Sequence, residues 1–321
     1  MTARVIQPAE LPAFDALASE FGSLFTRAEW TRMFKERLVR VGLYDRGGSL
    51  LGGFNCLQTR RLGLRYRRNP PFTPDCGPFL KVLAEHPVAV LEAHRDAMSA
   101  MVDFLRADPA ALTFLRLSRA TRDVMPFYHA GFRAVPAYTY ILPLNQPANT
   151  LLDGMASVRR RNLQRASKDG LVTKPVADMK LVFDLVCRTF ARQRKAVDTT
   201  VLRQILFEYA QAKNSFAFAT FQNSEPLATA FVVHDGRTAF YLLGGYNDEG
   251  KHHGAGPAAM WSCIRRAQEL GLQEFDFEGS MIPAIERYFR GFGGRLTPFF
   301  TVNRAWFPLE ILLKCRRRNL F

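Results

Sequence analysis

The spacing of apolar and polar positions carries the chain twice through one series of elements. In the first pass, helical periodicity covers 9–20 and 27–38, with Thr26 placed to cap the second helix. It returns over 88–107, where Val90, Leu91, Met98, Met101, Val102 and Leu105 recur at helical spacing. Short apolar runs at 39–45, 50–58, 112–117 and 133–142 predict strands, and 124–130 predicts a short helix. The polar, proline-containing break at 143–147 reads as a linker. The second pass predicts a helix over 151–168 that stops at Gly170, then helices at 179–194 and 199–212. Strands follow at 215–221, 226–234 and 237–243, then a helix at 257–270, a strand at 272–277 and a last strand at 296–302.

The two passes hold a constant register. Tyr128-His-Ala-Gly131-Phe132 matches Tyr288-Phe-Arg-Gly291-Phe292 at an offset of 160 residues, and Leu112/Leu272, Met101/Trp261 and Phe104/Ile264 keep that offset. Leu51 and Leu227 are 176 apart, so the first pass holds about sixteen extra residues. They fall in 59–78, TRRLGLRYRRNPPFTPDCGP, whose prolines and glycines predict a surface loop bearing Arg60, Arg61, Arg65, Arg67 and Arg68. The pattern is that of an internal duplication. It predicts an α/β (α+β) chain of two tandem domains, 1–145 and 146–305, each a mixed central sheet flanked by helices. A basic tail at 306–321, WFPLEILLKCRRRNLF, is amphipathic and suits a docked terminal helix, an RNA contact or a membrane contact.

Composition narrows the partners. Lys and Arg number 44 against 29 Asp and Glu, a net charge of +15 that favours an anionic partner: nucleic acid, a phosphorylated small molecule or a membrane surface. The five cysteines are scattered without a C-x-x-C spacing, which points to reduced thiols and away from a disulfide frame or a zinc site. His252 and His253 are adjacent, so they do not converge on a metal, and no metal site is expected. The opening MTARVIQPAELPAF has no apolar signal region, and no window reaches the ~20 apolar residues of a membrane span. A cytoplasmic location is expected.

Three stretches carry candidate chemistry. In Lys251-His-His-Gly254-Ala255-Gly256 the glycines let backbone N–H groups approach a phosphate at a helix N-terminus; the alternative is a flexible turn. In LQEFDFEGS, Asp276 and Glu278 end a strand where open α/β sheets place their sites, and two residues apart they would face one side. Either could orient or deprotonate an amine, while Asp276 could instead hold a backbone N–H or an arginine. Ser280 suits a cap accepting from Ile282 N–H, since Pro283 rules out a capping box. The run Arg159, Arg160, Arg161, Arg165 and Lys168 places Arg161, Arg165 and Lys168 on one helical face, suited to RNA phosphates or to solvent.

The order of elements, a glycine-rich loop feeding a helix and Y-x-x-G-F before the last strand, resembles the GNAT acyltransferase superfamily. Two such units in one chain, with RRRNLQRASKDGL and FDFEGS followed by FRGFGG, resemble the FemABX-type family, best over 151–303. The resemblance implies two tandem GNAT-like domains and transfer of an aminoacyl group from aminoacyl-tRNA to an amine. It implies no tightly bound cofactor, with aminoacyl-tRNA or acyl-coenzyme A as co-substrate. Lys251, Gly254, Ala255 and Gly256 would correspond to the donor's phosphate loop. Tyr288 would correspond to the tyrosine that protonates the leaving group, against a reading of simple core packing. Asp276 and Glu278 would be the carboxylates at the reacting amine. Arg159, Arg161, Arg165 and Lys168 would contact tRNA or another anion. Arg65, Arg68 and Asn69, in the loop where the copies differ, would face the acceptor: a cell-wall precursor, a natural product or a peptide. An acyl-coenzyme A N-acetyltransferase and a catalytically silent module holding an anionic ligand are the other two readings.

Overall fold

The computed structural model describes residues 1–316, except the side chains of residues 35 and 36; the end of the expected basic tail, 317–321, lies outside the described residues. Its strands are β1 (Thr2–Val5), β2 (Leu38–Tyr44), β3 (Leu50–Arg61), β4 (Leu64–Arg68), β5 (Phe79–Leu80), β6 (Leu112–Arg116), β7 (Arg133–Pro143), β8 (Val172–Pro175), β9 (Ser215–Gln222), β10 (Glu225–His234), β11 (Thr238–Tyr246), β12 (Glu274–Asp276) and β13 (Arg295–Ala305). The α-helices are α1 (Leu11–Phe21), α2 (Ala28–Thr31), α3 (Pro87–Ala107), α4 (Met125–His129), α5 (Ala148–Asp153), α6 (Ser157–Lys168), α7 (Met179–Arg192), α8 (Thr199–Arg203), α9 (Ala255–Glu269), α10 (Pro283–Arg290) and α11 (Phe307–Arg316).

Two units emerge, Met1–Ala137 with Pro298–Phe321, and Tyr138–Thr297. In the first unit the strands run β1-β2-β3-β4-β6-β13, antiparallel except for the parallel pair β4–β6. In the second they run β8-β9-β10-β11-β12-β7, antiparallel except for the parallel pair β11–β12. The orders and the place of the parallel pair are the same, as a duplication requires. The contiguous division expected at 145/146 differs from these units. The chain leaves the first unit within β7 and returns within β13, so each half ends in a strand that completes the other unit. The expected linker at 143–147 lies inside the second unit, where Gln268 Nε2 donates to Leu144 O (3.2 Å) and Gln146 O (2.7 Å).

Local chemistry explains the remaining differences. The arginine-rich segment is no loop at its start: β3 and β4 form a hairpin turned by Leu62 and Gly63, with φ of +51° and +75°. Arg67 is not at the surface; it is fully buried, donating to Asp108 Oδ2 (2.7 Å), Asp108 O (2.6 Å) and Gln58 Oε1 (3.1 Å). The helix expected over 27–38 is one α-turn followed by 3-10 turns, and Thr26 donates to Ser23 O rather than capping it. The helix expected over 151–168 breaks at Gly154 into α5 and α6, and Arg160 bridges the break to Asp153 O (2.7 Å) and Met155 O (2.6 Å).

Each unit has its own core. In the first, α3 lays Met98, Met101, Val102 and Leu105 against Val41, Leu43, Phe54 and Leu115. In the second, α9 lays Met260, Cys263 and Ile264 against Phe275, Phe277, Phe289 and Phe292. Phe277 stacks on Phe292 with centroids 5.5 Å apart, and Phe289 lies 5.8 Å from it, which anchors α10 beside the end of β12.

Candidate active site

The site of the second unit is built around the start of α9. β11 continues past its parallel pairing with β12, which ends at Phe240↔Asp276, and leads through Gly244, Gly245 and Tyr246. A side chain on Gly245 would lie 2.6 Å from Leu185 Cβ and 2.7 Å from Leu185 C, so glycine lets α7 pack directly on the strand. The loop after β11 is fixed by its own polar groups. Asn247 N–H donates to Leu227 O (2.8 Å), and Asn247 Oδ1 accepts from Glu249 N–H (3.2 Å). His252 N–H donates to Tyr246 Oη (2.8 Å). Its Nδ1 accepts from Gly254 N–H (3.0 Å), which leaves Nε2 to donate to Asp169 Oδ2 (3.0 Å). His252 therefore locks the turn that starts α9. Gly254 is required there: a Cβ would stand 2.4 Å from Asn162 O and 2.8 Å from Ala166 Cβ on α6.

A cavity of about 530 Å³ opens at this turn. Its walls include Arg159 and Asn162 of α6, Arg192 of α7, Tyr241, Gly244, Gly245 and Tyr246 of β11, Lys251, His252 and His253 of the loop, Gly256 of α9, and Tyr288 of α10. Four helices and one strand thus bring cations, three phenols and a helix N-terminus into one space, an arrangement suited to an anionic ligand. Arg192 is paired with Asp248 and lies 5.8 Å above the Tyr246 ring. Lys251 is exposed at the rim.

Tyr288 and Arg159 form the centre. The Arg159 guanidinium lies 4.4 Å over the Tyr288 ring and 5.3 Å over that of Phe292, and its Nη2 donates to Tyr288 O (3.3 Å). Only 8% of Arg159 is exposed, and its Nε–H finds no hydrogen-bond partner among the described residues. Burial pulls its pKa below the usual guanidinium value, with the Tyr288 hydroxyl opposing. Gly291 makes room for it, since a Cβ there would stand 3.1 Å from Arg159 Nε. The Tyr288 hydroxyl lies 3.3 Å from where a Cβ on Gly256 would be, at the first turn of α9. Burial pushes that hydroxyl well above the ordinary phenol pKa, against the lowering effect of Arg159, so it holds its proton throughout the physiological range. Tyr241 is raised the same way, by burial first and then by Tyr288.

The two carboxylates do not line this cavity. Asp276 is buried, and its Oδ1 accepts from Thr139 Oγ1 (2.6 Å) and Glu278 N–H (2.8 Å). The alternation expected to put Asp276 and Glu278 on one side stops with β12, because Glu278 has φ +58°. Gly279 follows at φ +57°, where a Cβ would lie 2.1 Å from Tyr138 O. Glu278 is half-buried in this left-handed turn, which like the cavity walls 244–246 stands beyond the carboxyl end of the β11–β12 pairing. Ser280 Oγ accepts from Ile282 N–H (3.1 Å), as its spacing implies.

Among the basic residues of α6, Arg159 turns inward, while Arg161, Arg165 and Lys168 are exposed; Arg165 pairs with Asp169 at 3.2 Å. The residues assigned to an acceptor are in the first unit. Arg65 is half-buried and paired with Asp108, and Arg68 is exposed at the end of β4. Asn69 accepts from Arg116 N–H (2.7 Å) and donates to Arg116 O (3.2 Å). The roles of Arg192 and Tyr241 were not visible in the sequence. The inward turn of Arg159 had one trace there: it shares a face with Asn162 and Ala166 at i+3 and i+7, the face that meets Gly254.

Residues 156–290 match the family described as Acetyltransferase (GNAT) domain. No curated protein sequence matches the chain. Among solved structures the fold is similar to that of FemX, with a TM-score of 0.65 at 13% identity over 98% of this chain and 100% of that one. It is similar to L-PGS from Bacillus licheniformis, with a TM-score of 0.53 at 12% identity over 98% and 97% of the two chains. A tandem GNAT protein from the clavulanic acid biosynthesis pathway gives 0.55 at 14% identity over 94% and 97%. At these identities the likeness to solved structures is one of fold. The second half of the chain thus matches the GNAT acetyltransferase domain family, and along its length the chain has the fold seen in FemX and in a tandem GNAT protein.

Proposed function

We propose that the protein transfers an aminoacyl group from aminoacyl-tRNA to an amine, with the donor's acylated end in the cavity of the second unit. The observation that carries this reading is the two-faced helix α6. One side of it supplies the buried Arg159 to the cavity wall, and the other exposes Arg161, Arg165 and Lys168. A ligand with a small acylated end and a long polyanionic body matches both faces at once. FemX shares the fold, in keeping with this donor.

In the proposed reaction the acceptor amine attacks the ester carbonyl, the C–N bond forms, and the bond from the carbonyl carbon to the ribose oxygen breaks. The leaving oxygen takes a proton, and Tyr288 is the donor of that proton because burial keeps its hydroxyl protonated. Glu278 is the proposed acceptor of the proton the amine must lose. Lys251 and the positive end of the α9 dipole would neutralise the terminal phosphate. In the first unit, Arg65 and Asn69 are engaged in internal contacts, so Arg68 is the residue proposed to meet the acceptor.

The glycine-rich start of α9 favours a second donor, an acyl-coenzyme A, whose diphosphate would take the same place. Separate binding measurements discriminate. Under the lead reading charged tRNA binds with a steep salt dependence, Arg161→Ala with Arg165→Ala weakens it, and acetyl-coenzyme A gives no thermal stabilisation. Stabilisation by acetyl-coenzyme A with salt-insensitive tRNA binding overturns it in favour of the second.

A further inference from the structure

The tip of the β3–β4 hairpin and the helix α11, both in the first unit, present large apolar side chains to solvent. Leu62 is 93% exposed and sits at φ +51° in a two-residue turn where asparagine or glycine would be the unstrained choice. Trp306 is 58% exposed and Phe307 75%, and Ile311 and Leu312 continue the apolar surface along α11, which buries none of its residues. The two elements are neighbours: Arg60, Gly63, Leu64, Arg65 and Trp306 line one cavity, and Trp306, Phe307 and Glu310 line the next. The surface is held firmly, because Trp306 N–H donates to Ala111 O (2.9 Å) and β13 is paired with β6 up to Ala305. Cations ring it: Arg60, Arg61, Arg304, Lys314 and Arg316 are exposed. The nearby acids are already paired, Asp108 with Arg65 and Arg67, and Glu310 with Lys314 at 2.6 Å.

We infer that this surface docks the protein on an anionic lipid bilayer, with Leu62, Trp306, Phe307 and Ile311 entering the interface and the arginines meeting headgroups. Apolar and aromatic side chains ringed by Lys and Arg are what an interfacial contact requires. Charge decides against the other occupants. A second copy would bury the apolar side chains but bring two rings of like charge together. An RNA would use the arginines and leave Leu62, Ile311 and Leu312 without a role.

The test is co-sedimentation of the full chain with phosphatidylcholine vesicles, with and without phosphatidylglycerol. Binding is expected to the anionic vesicles alone and to weaken with salt. Trp306 emission should shift to the blue on binding, and Trp306→Phe should remove the shift, which separates it from the buried Trp30 and from Trp261, packed against the core of the second unit. Phe307→Ser with Ile311→Ser should lower partitioning by about tenfold or more, and Arg60→Gln with Arg61→Gln should weaken it and flatten its salt dependence. These side chains are exposed, so an unchanged Tm verifies the fold. Failure to bind anionic vesicles at low salt overturns the inference, as does binding that these variants leave intact. Self-association abolished by Phe307→Ser with Ile311→Ser assigns the surface to a second copy, and loss of RNA retention without loss of lipid binding assigns it to RNA; either rejects the lipid assignment.

Discussion

Replacing Arg159 with methionine separates a ligand-binding arginine from a structural one. In the folded protein its guanidinium is buried, stacked on Tyr288 and Phe292, and bonded through Nη2 to Tyr288 O, with Nε–H unpartnered and no carboxylate at ion-pair distance among the described residues. The stacking contributes up to about 2 kcal/mol and the hydrogen bond about 1. Against these stands the desolvation of a buried cation that lacks a counter-charge, which costs several kcal/mol in typical cases. Methionine fills a similar volume with no charge to desolvate. The opposing contributions nearly cancel, so Arg159→Met should change the stability of the free protein by no more than about 1 kcal/mol in either direction.

Donor affinity behaves differently. A charge-assisted hydrogen bond from a buried guanidinium to an anionic or carbonyl oxygen is worth about 1.5–3 kcal/mol, which is roughly 10–150-fold in Kd. Arg159→Met should therefore raise the donor Kd by that factor while urea unfolding stays near wild type. Arg159→Lys keeps the charge but loses the flat stacked fork, and should fall between the two. Equilibrium binding of charged tRNA and of acetyl-coenzyme A, alongside urea denaturation of the ligand-free protein, reads both quantities. Should Arg159→Met lose more than about 3 kcal/mol of stability while binding either donor as before, Arg159 is a packing element and the cavity's charge logic is wrong.

Tyr288→Phe should lower turnover by about 10²–10⁴-fold with little change in donor Kd, measured in single-turnover assays; unchanged turnover removes Tyr288 from the proton path. Gly254→Ala places a Cβ 2.4 Å from Asn162 O, so it should cost about 1–3 kcal/mol and abolish donor binding, seen by thermal melts and titration. The Arg4 guanidinium, bonded to both Glu10 oxygens at 2.7 Å, together with Gln7 N–H, holds Glu10 down to about 2 from 4.5. Its contribution is present above the unfolded value and lost as pH falls through the folded one, so Glu10→Gln should flatten the acid side of a Tm–pH curve between 4.5 and about 2; an unaltered slope excludes the pair.

Much of the frame was legible because duplication repeats its own signals. The 160-residue register between the Y-x-x-G-F pieces survives in α4 and α10, and the strand before each is the one parallel partner in its unit. Illegible was where β7 and β13 would pair, since an apolar strand of eleven residues carries no mark of its neighbour. For the site, Gly254 and Gly256 announced themselves through glycine, whereas Arg159 was one cation among five. Which of a run of cations turns inward is set by the helix facing it, and α9 is a hundred residues away in sequence.

The same comparison explains why one copy holds the cavity. Each unit pairs its third long strand in parallel with the strand after the crossover helix, and the pairing stops at Arg68↔Phe114 in the first and Phe240↔Asp276 in the second. In the second unit the strand runs on for six residues to Tyr246, and those residues form a cavity wall. In the first unit the next residues are Asn69, Pro70 and Pro71. Two prolines offer no N–H to a ladder, so the strand cannot continue. Asn69 closes it off by taking both the N–H and the C=O of Arg116. The crossover helix of that copy also opens on His86-Pro87 rather than on glycines, so its first turn lacks one N–H and the close backbone approach an anion requires. Both changes act on the same requirement, a helix start that can be approached closely beside an open strand end, and the second copy alone satisfies it.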